Sequence, residues 1–155
     1  RTLGASVPKV VLMVAGEETP RIGQEVGMPV VYVGSLVDDV AMASAYACAD
    51  VVVVPSRIEN LPQAATEAQA CGVPVVGFNC GGMEDALQDG VTGSLVPPYD
   101  VNELARALGQ ILCDNQAAAR MGLAARERAL QLWDEVRVVN EYVSVYDGLL
   151  RSRRP

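Results

Sequence analysis

The stretch Val51-Val52-Val53-Val54-Pro55-Ser56-Arg57-Ile58-Glu59-Asn60-Leu61-Pro62-Gln63-Ala64-Ala65-Thr66-Glu67-Ala68-Gln69-Ala70-Cys71-Gly72 decides the fold. Four consecutive valines are a short β-branched run of the kind buried on both faces of a sheet. Pro55 closes that run, and the alanine-rich segment that follows has helical composition. Pro62 suits a first helical turn, Asn60 can cap it, and Gly72 suits the left-handed residue beyond its end. Strand, loop and helix are therefore written locally, one after another.

The same unit recurs on either side. Apolar runs at Val10 to Val14, Val30 to Val33, Val75 to Phe78 and Ser94 to Val96 are each short and closed by Gly or Pro. With Val51 to Val54 they predict five buried strands. Between them, Val40 to Cys48, Pro62 to Cys71 and Glu84 to Leu87 have helical spacing. The alternation predicts βαβ units, and so a Rossmann-like, mostly parallel sheet sandwiched by helices. After Pro97-Pro98 the strands stop. Asp100 can cap a helix with Leu104, Ala107, Leu108, Ile111 and Leu112 at helical intervals, and Asp114 or Asn115 can start the next. The remainder reads as helix to about Leu150, with Val136, Val139, Tyr142, Val143 and Tyr146 forming one apolar stripe expected to face the core.

Composition agrees and excludes several functions. The 155 residues suit one domain, and with 50% hydrophobic but only 5% aromatic residues its core must be aliphatic. A net charge of −7 with a single lysine, Lys9, argues against a non-specific grip on nucleic acid. Arg151, Arg153 and Arg154 at the end read as a solvated, frayed terminus. Cys48, Cys71, Cys80 and Cys113 match neither a redox pair nor a zinc pattern. With no histidine, serine triads, cysteine–histidine dyads and histidine metal sites are excluded within this chain. No apolar run is long enough to span a bilayer, so the expected location is cytoplasmic. The chain opens at Arg1, in what reads as the ragged end of a helix and without Met, and is expected to be a piece of a longer protein.

In an open parallel sheet, ligands settle at the carboxyl ends of strands, beside the starts of the following helices. Free N–H groups and the helix dipole at Pro62 suit an anion such as a pyrophosphate. Glu59 lies just before that helix and Glu67 on its second turn, and a carboxylate accepts from two sugar hydroxyls at once. The plainer alternative is a capping pair of Asn60 with Gln63 and a solvated Glu on an exposed face. A second glycine-rich turn, Asn79-Cys80-Gly81-Gly82-Met83-Glu84-Asp85, either lets backbone amides approach a ligand or serves a tight turn. A third, Asp89-Gly90-Val91-Thr92-Gly93, reads as structural.

Taken in order, these motifs resemble the retaining glycosyltransferases of the family-4 type, with the two-domain GT-B architecture. The match takes in Val51 to Ser56, Glu59 and Glu67, the Glu-Ala-x-Ala-Cys-Gly-x-Pro-Val run from Glu67 to Val75, Gly81-Gly82, Asp89 to Gly93 and the helix start at Asp100. The resemblance implies transfer of a hexosyl group from a UDP-sugar or GDP-sugar with retention, without a metal or other cofactor, the nucleotide-sugar being the substrate. It assigns residues 1–155 to the donor-binding domain. The acceptor-binding domain and the first strand, with its Arg and Lys diphosphate clamp, would precede Arg1, and any membrane contact would come through that half. By position, Glu59 resembles the family's catalytic glutamate on the donor sugar. Asn60, Leu61 and Pro62 resemble the segment that meets sugar and phosphate, Glu67 the ribose-binding glutamate, Gly81 and Gly82 the second donor loop, and Val33 to Leu36, with Gly34 and Leu36, the border of the base. Alone, this half is not expected to turn over. Two other readings stay open: a binding module that kept the fold without catalysis, and a sugar-nucleotide epimerase.

Overall fold

The structure, a computed structural model, describes residues 9–16 and 27–152. The helix end expected at Arg1, and Arg153 and Arg154 of the basic terminus, lie outside these residues. The elements run β1 (Leu12–Ala15), β2 (Val30–Gly34), α1 (Asp39–Ala47), β3 (Val52–Val54), α2 (Gln63–Ala70), β4 (Val75–Phe78), α3 (Met83–Ala86), β5 (Gly93–Val96), α4 (Val101–Cys113), α5 (Asn115–Leu132) and α6 (Glu135–Ser152). All five expected strands form, every pairing is parallel, and the C-terminal third is helical.

The strands divide into two hydrogen-bonded groups among the described residues. β1 pairs with β2, with Leu12 opposite Val30, while β3, β4 and β5 form a second sheet with Val52 opposite Val75 and Val75 opposite Gly93. β4 lies in the middle of that sheet and is buried along its whole length. Its alternating side chains serve two cores. Val75 packs with Val54, Ala65, Ala68, Met83, Ala86 and Leu87 on the α2–α3 face. Val76 and Phe78 pack with Val96, Ala107 and Ile111 on the α4 face. A strand covered on both sides needs apolar residues at every position, which is why these strands read as continuous valine runs.

Local chemistry sets the helix limits. Asp38 accepts from Ala41 N at the start of α1 (2.8 Å), Asp100 from Asn102 N and Glu103 N at α4 (both 3.0 Å), and Asp114 from Gln116 N (3.1 Å) and Ala117 N (2.9 Å) at α5. α2 ends at Cys71 with Gly72 at φ +77°, the left-handed position that glycine occupies without strain. The Asp89–Gly93 turn is structural, as expected: Gly90 N donates to Gly93 O (2.9 Å), Gln88 N to the buried Thr92 Oγ1 (3.0 Å), and Leu95 N to Asp89 Oδ1 (2.8 Å).

One expectation is corrected. The stripe on α6 does not face the core: its exposure runs from 50% at Val143 to 68% at Val136, and the helix buries no residue. Helical periodicity reports that a face is apolar, not that anything within the same chain covers it. No helix among the described residues is long and apolar enough to cross a membrane.

Candidate functional site

The loop from Pro55 to Pro62 joins β3 to α2 and lies at the carboxyl end of the sheet. α2 starts with Pro62 in the N-cap position and no side-chain cap; Ala65 N (3.0 Å) and Thr66 N (3.2 Å) return to Pro62 O. Asn60, expected to cap, does not, so the amides of the first turn, at Gln63 and Ala64, carry no capping side chain. The capping pair of Asn60 with Gln63 is therefore not formed. Glu59 is half-buried, Asn60 and Leu61 are exposed, and Pro62 is buried against the fold.

The second loop is pressed onto the first. Gly82 N donates to Glu59 O at 3.1 Å, and the Cys80 thiol to Ser56 O at 3.1 Å. A Cβ at Gly81 would fall inside contact distance of Glu59 O, and one at Gly82 inside that of Asn60 O. The glycine pair is thus required by backbone meeting backbone, and it holds Glu59 and Asn60 in place. This favours neither simple form of the earlier alternatives: the Gly82 amide is already bonded to protein, and the turn does more than reverse the chain. Asn79 Nδ2 donates to Glu84 Oε1 (2.7 Å), and Met83 N to Cys80 O (3.3 Å), which completes the turn into α3. Two longer struts support it. Gln69, buried in α2, donates through Nε2 to Ala65 O (3.1 Å) and Ala86 O (2.8 Å), and Arg128 of α5 donates to Asp85 O (2.7 Å).

Glu67 stands on the exposed face of the second turn of α2. Its Oε2 accepts from the Tyr46 hydroxyl of α1 at 2.9 Å. Burial, and then the neighbouring Glu67 carboxylate, push the Tyr46 phenol well above its usual value, and burial also raises the Cys71 thiol. A groove of about 300 Å³ opens beside Glu67 and Thr66, walled on the other side by Arg126, Leu130 and Trp133 of the α5 end. A wider concavity of about 670 Å³ runs along Val136, Arg137, Asn140 and Glu141 and is lined by α6 and Asp134 just before it, with none of the β3–α2 or β4–α3 loop residues.

Gly34 and Leu36 lie at the carboxyl end of β2, in the two-stranded sheet, with Gly34 at φ +69°. They connect to the rest through α1, whose Tyr46 and neighbouring Ala49 pack on the α2 core. Glu59, Asn60, Leu61, Pro62, Gly81 and Gly82 thus form one body at the ends of β3 and β4; Glu67 is one turn deeper, and Gly34 and Leu36 stand on the adjoining unit. Sequence reasoning missed Tyr46, because a contact 21 residues away leaves no periodic trace. It also missed the Tyr99 hydroxyl, which donates to Arg57 O at 3.2 Å while the Arg57 guanidinium lies over its ring.

Parallel strands with helices on both faces, loops gathered at their carboxyl ends and an uncapped helix start define an α/β domain of the Rossmann-like class. The comparisons with known proteins place it further. A family model described as Glycosyl transferases group 1 matches residues 2–114, and the chain belongs to that family. A D-inositol 3-phosphate glycosyltransferase of Kribbella flavida is 48% identical over 88 residues, which cover 57% of this chain and 21% of that protein. Sucrose-phosphate synthase of Thermosynechococcus elongatus superposes with a TM-score of 0.80 at 31% identity, over 93% of this chain and 39% of that one. Anabaena HepE, solved in complex with UDP, superposes with a TM-score of 0.70 at 28% identity, over 77% of this chain and 32% of that one. The chain therefore spans between about a fifth and two-fifths of the length of these relatives.

Proposed function

We propose that residues 1–155 are the donor-binding half of a GT-B glycosyltransferase that takes a UDP-sugar or GDP-sugar and transfers its hexosyl group with retention. The observation that carries this reading is the joined pair of loops: the open start of α2, flanked by Glu59 and Glu67, is locked by Gly81 and Gly82 at the strand ends where such sheets bind ligands. In the reaction, the bond from the anomeric carbon to the diphosphate oxygen breaks, a bond to the acceptor oxygen forms on the same face, and the proton that the acceptor hydroxyl gives up passes to the leaving diphosphate. Negative charge grows on the leaving diphosphate, and the amide dipoles at the start of α2 stabilise it without reorganising. Glu59 contacts the donor sugar, and the backbone of Asn60 to Pro62 meets sugar and phosphate. Glu67 accepts from the ribose hydroxyls, and Gly34 and Leu36 border the base.

The remaining parts come from the rest of the protein. β1 and β3 each pair on one side only among the described strands. One further parallel strand between them makes a single sheet of doubly wound order, and we assign it, with a cationic clamp for the diphosphate and the acceptor-binding half, to sequence outside this chain. No cofactor enters this scheme, since the nucleotide-sugar is itself the substrate. A cytoplasmic location belongs to the same reading: Cys48, Cys71 and Cys80 are free thiols, the form a reducing compartment preserves. No observation favours the binding-module or epimerase alternatives.

Thermal unfolding with UDP, GDP and ADP in turn tests donor binding. A nucleotide at about a hundred times its Kd stabilises by about 2.7 kcal/mol, which raises Tm by roughly 5–10 °C at this size. The expected result is a shift with UDP or GDP that shrinks in Glu67→Ala. No shift with any nucleotide, or an equal one in Glu67→Ala, counts against the site.

A further inference from the structure

We infer that Tyr46 is a positioning residue of this site, holding the Glu67 carboxylate in the orientation that receives the ribose hydroxyls of the donor. The inference rests on the donor-site reading of Glu67. Its own observation is the 2.9 Å hydrogen bond from the Tyr46 hydroxyl to Glu67 Oε2, made between α1 and α2.

An exposed glutamate on a helix turns freely among rotamers, and a diol bound by it must first halt that motion. Tyr46 removes much of the freedom. Its ring packs against the buried cluster of Val54, Ala65, Ala68 and Val75, and a tyrosine has only two side-chain torsions, so its hydroxyl is a fixed donor. The proton of that hydroxyl is committed to Oε2. Oε1 and the remaining lone pair of Oε2 are left to accept the ribose hydroxyls. A vicinal diol offers two donors to one carboxylate, whereas a nucleotide without ribose hydroxyls offers none. A phenol keeps its proton across the neutral range, and burial and Glu67 raise the Tyr46 proton affinity further, so the hydroxyl stays in its donating form. The contact also joins the two units of the fold, since α1 follows directly on the Gly34–Leu36 loop proposed to border the base.

The test is calorimetric titration of UDP and GDP, each with its 2′,3′-dideoxy counterpart, against the chain and its Tyr46→Phe, Glu67→Ala and double variants, with Tm recorded for each. The expected result is that Tyr46→Phe weakens UDP or GDP about 3–10-fold, the range of one ordinary hydrogen bond. It leaves the dideoxy nucleotide unchanged and adds nothing to Glu67→Ala. A purely structural tyrosine would lower Tm or weaken both nucleotides alike, and that outcome, or wild-type affinity in Tyr46→Phe, overturns the inference. If Glu67→Ala discriminates ribose hydroxyls as well as the wild type, or if neither UDP nor GDP binds, the reading of Glu67 itself falls and the inference with it. If Glu67→Ala loses that discrimination while Tyr46→Phe keeps it, only the inference falls.

Discussion

Gly82 illustrates how much of the site is backbone. Its amide donates to Glu59 O, and the hydrogen that stands in place of a side chain lets Asn60 O approach its Cα. Gly82→Ala forces a Cβ onto a carbonyl that two flanking elements hold still, so the β3–α2 loop must move. Overpacking of this kind costs about 1–3 kcal/mol. The expected result is a Tm lower by roughly 2–12 °C, measured by thermal unfolding without ligand, together with weaker nucleotide binding. The glycine doublet is visible in the sequence, but its partner is not: nothing local announces that the carbonyls of Glu59 and Asn60, more than twenty residues earlier, fill the space. Tyr46 and Glu67 pose the same difficulty. Each is an ordinary residue on its own helix, and their pairing exists only once α1 and α2 are packed.

Elements are legible where their cause is local. Asp38, Asp100 and Asp114 each stand one residue before a helix and accept from its first free amides. Replacing Asp100 by Ala leaves Asn102 N and Glu103 N without that acceptor and is expected to cost about 1 kcal/mol, read as a Tm lower by roughly 2–4 °C. An unchanged Tm would mean that water replaces the cap fully. The valine runs are equally legible, because β4 is covered on both faces and leaves no place for a polar residue. α2 is the instructive exception. Asn60 has the right chemistry for a cap, yet Pro62 takes the position and the helix starts open; a helix held by buried Ala65, Ala68 and Gln69 needs no cap to form. α6 errs the other way, since its apolar stripe is real and its expected cover is not among the described elements.

For the whole molecule, parallel βαβ units follow from the alternation of valine runs with helical segments, and the structure and its superposition on known glycosyltransferases bear this out. The division into two hydrogen-bonded groups was not legible, because strand order depends on crossovers that composition and periodicity do not encode. In the proposed donor site the end of β2 borders the base, the β3–α2 segment meets sugar, phosphate and ribose, and the glycine pair after β4 holds that segment in place. The most direct measurement is to map the backbone amide resonances of the chain as UDP or GDP is added. The donor-site reading predicts that shifts concentrate at Gly34 to Leu36, Glu59 to Glu67 and Gly81 to Gly82, and leave α6 unmoved. Shifts centred on the α6 concavity around Arg137 and Asn140, or none at saturating nucleotide, would contradict it.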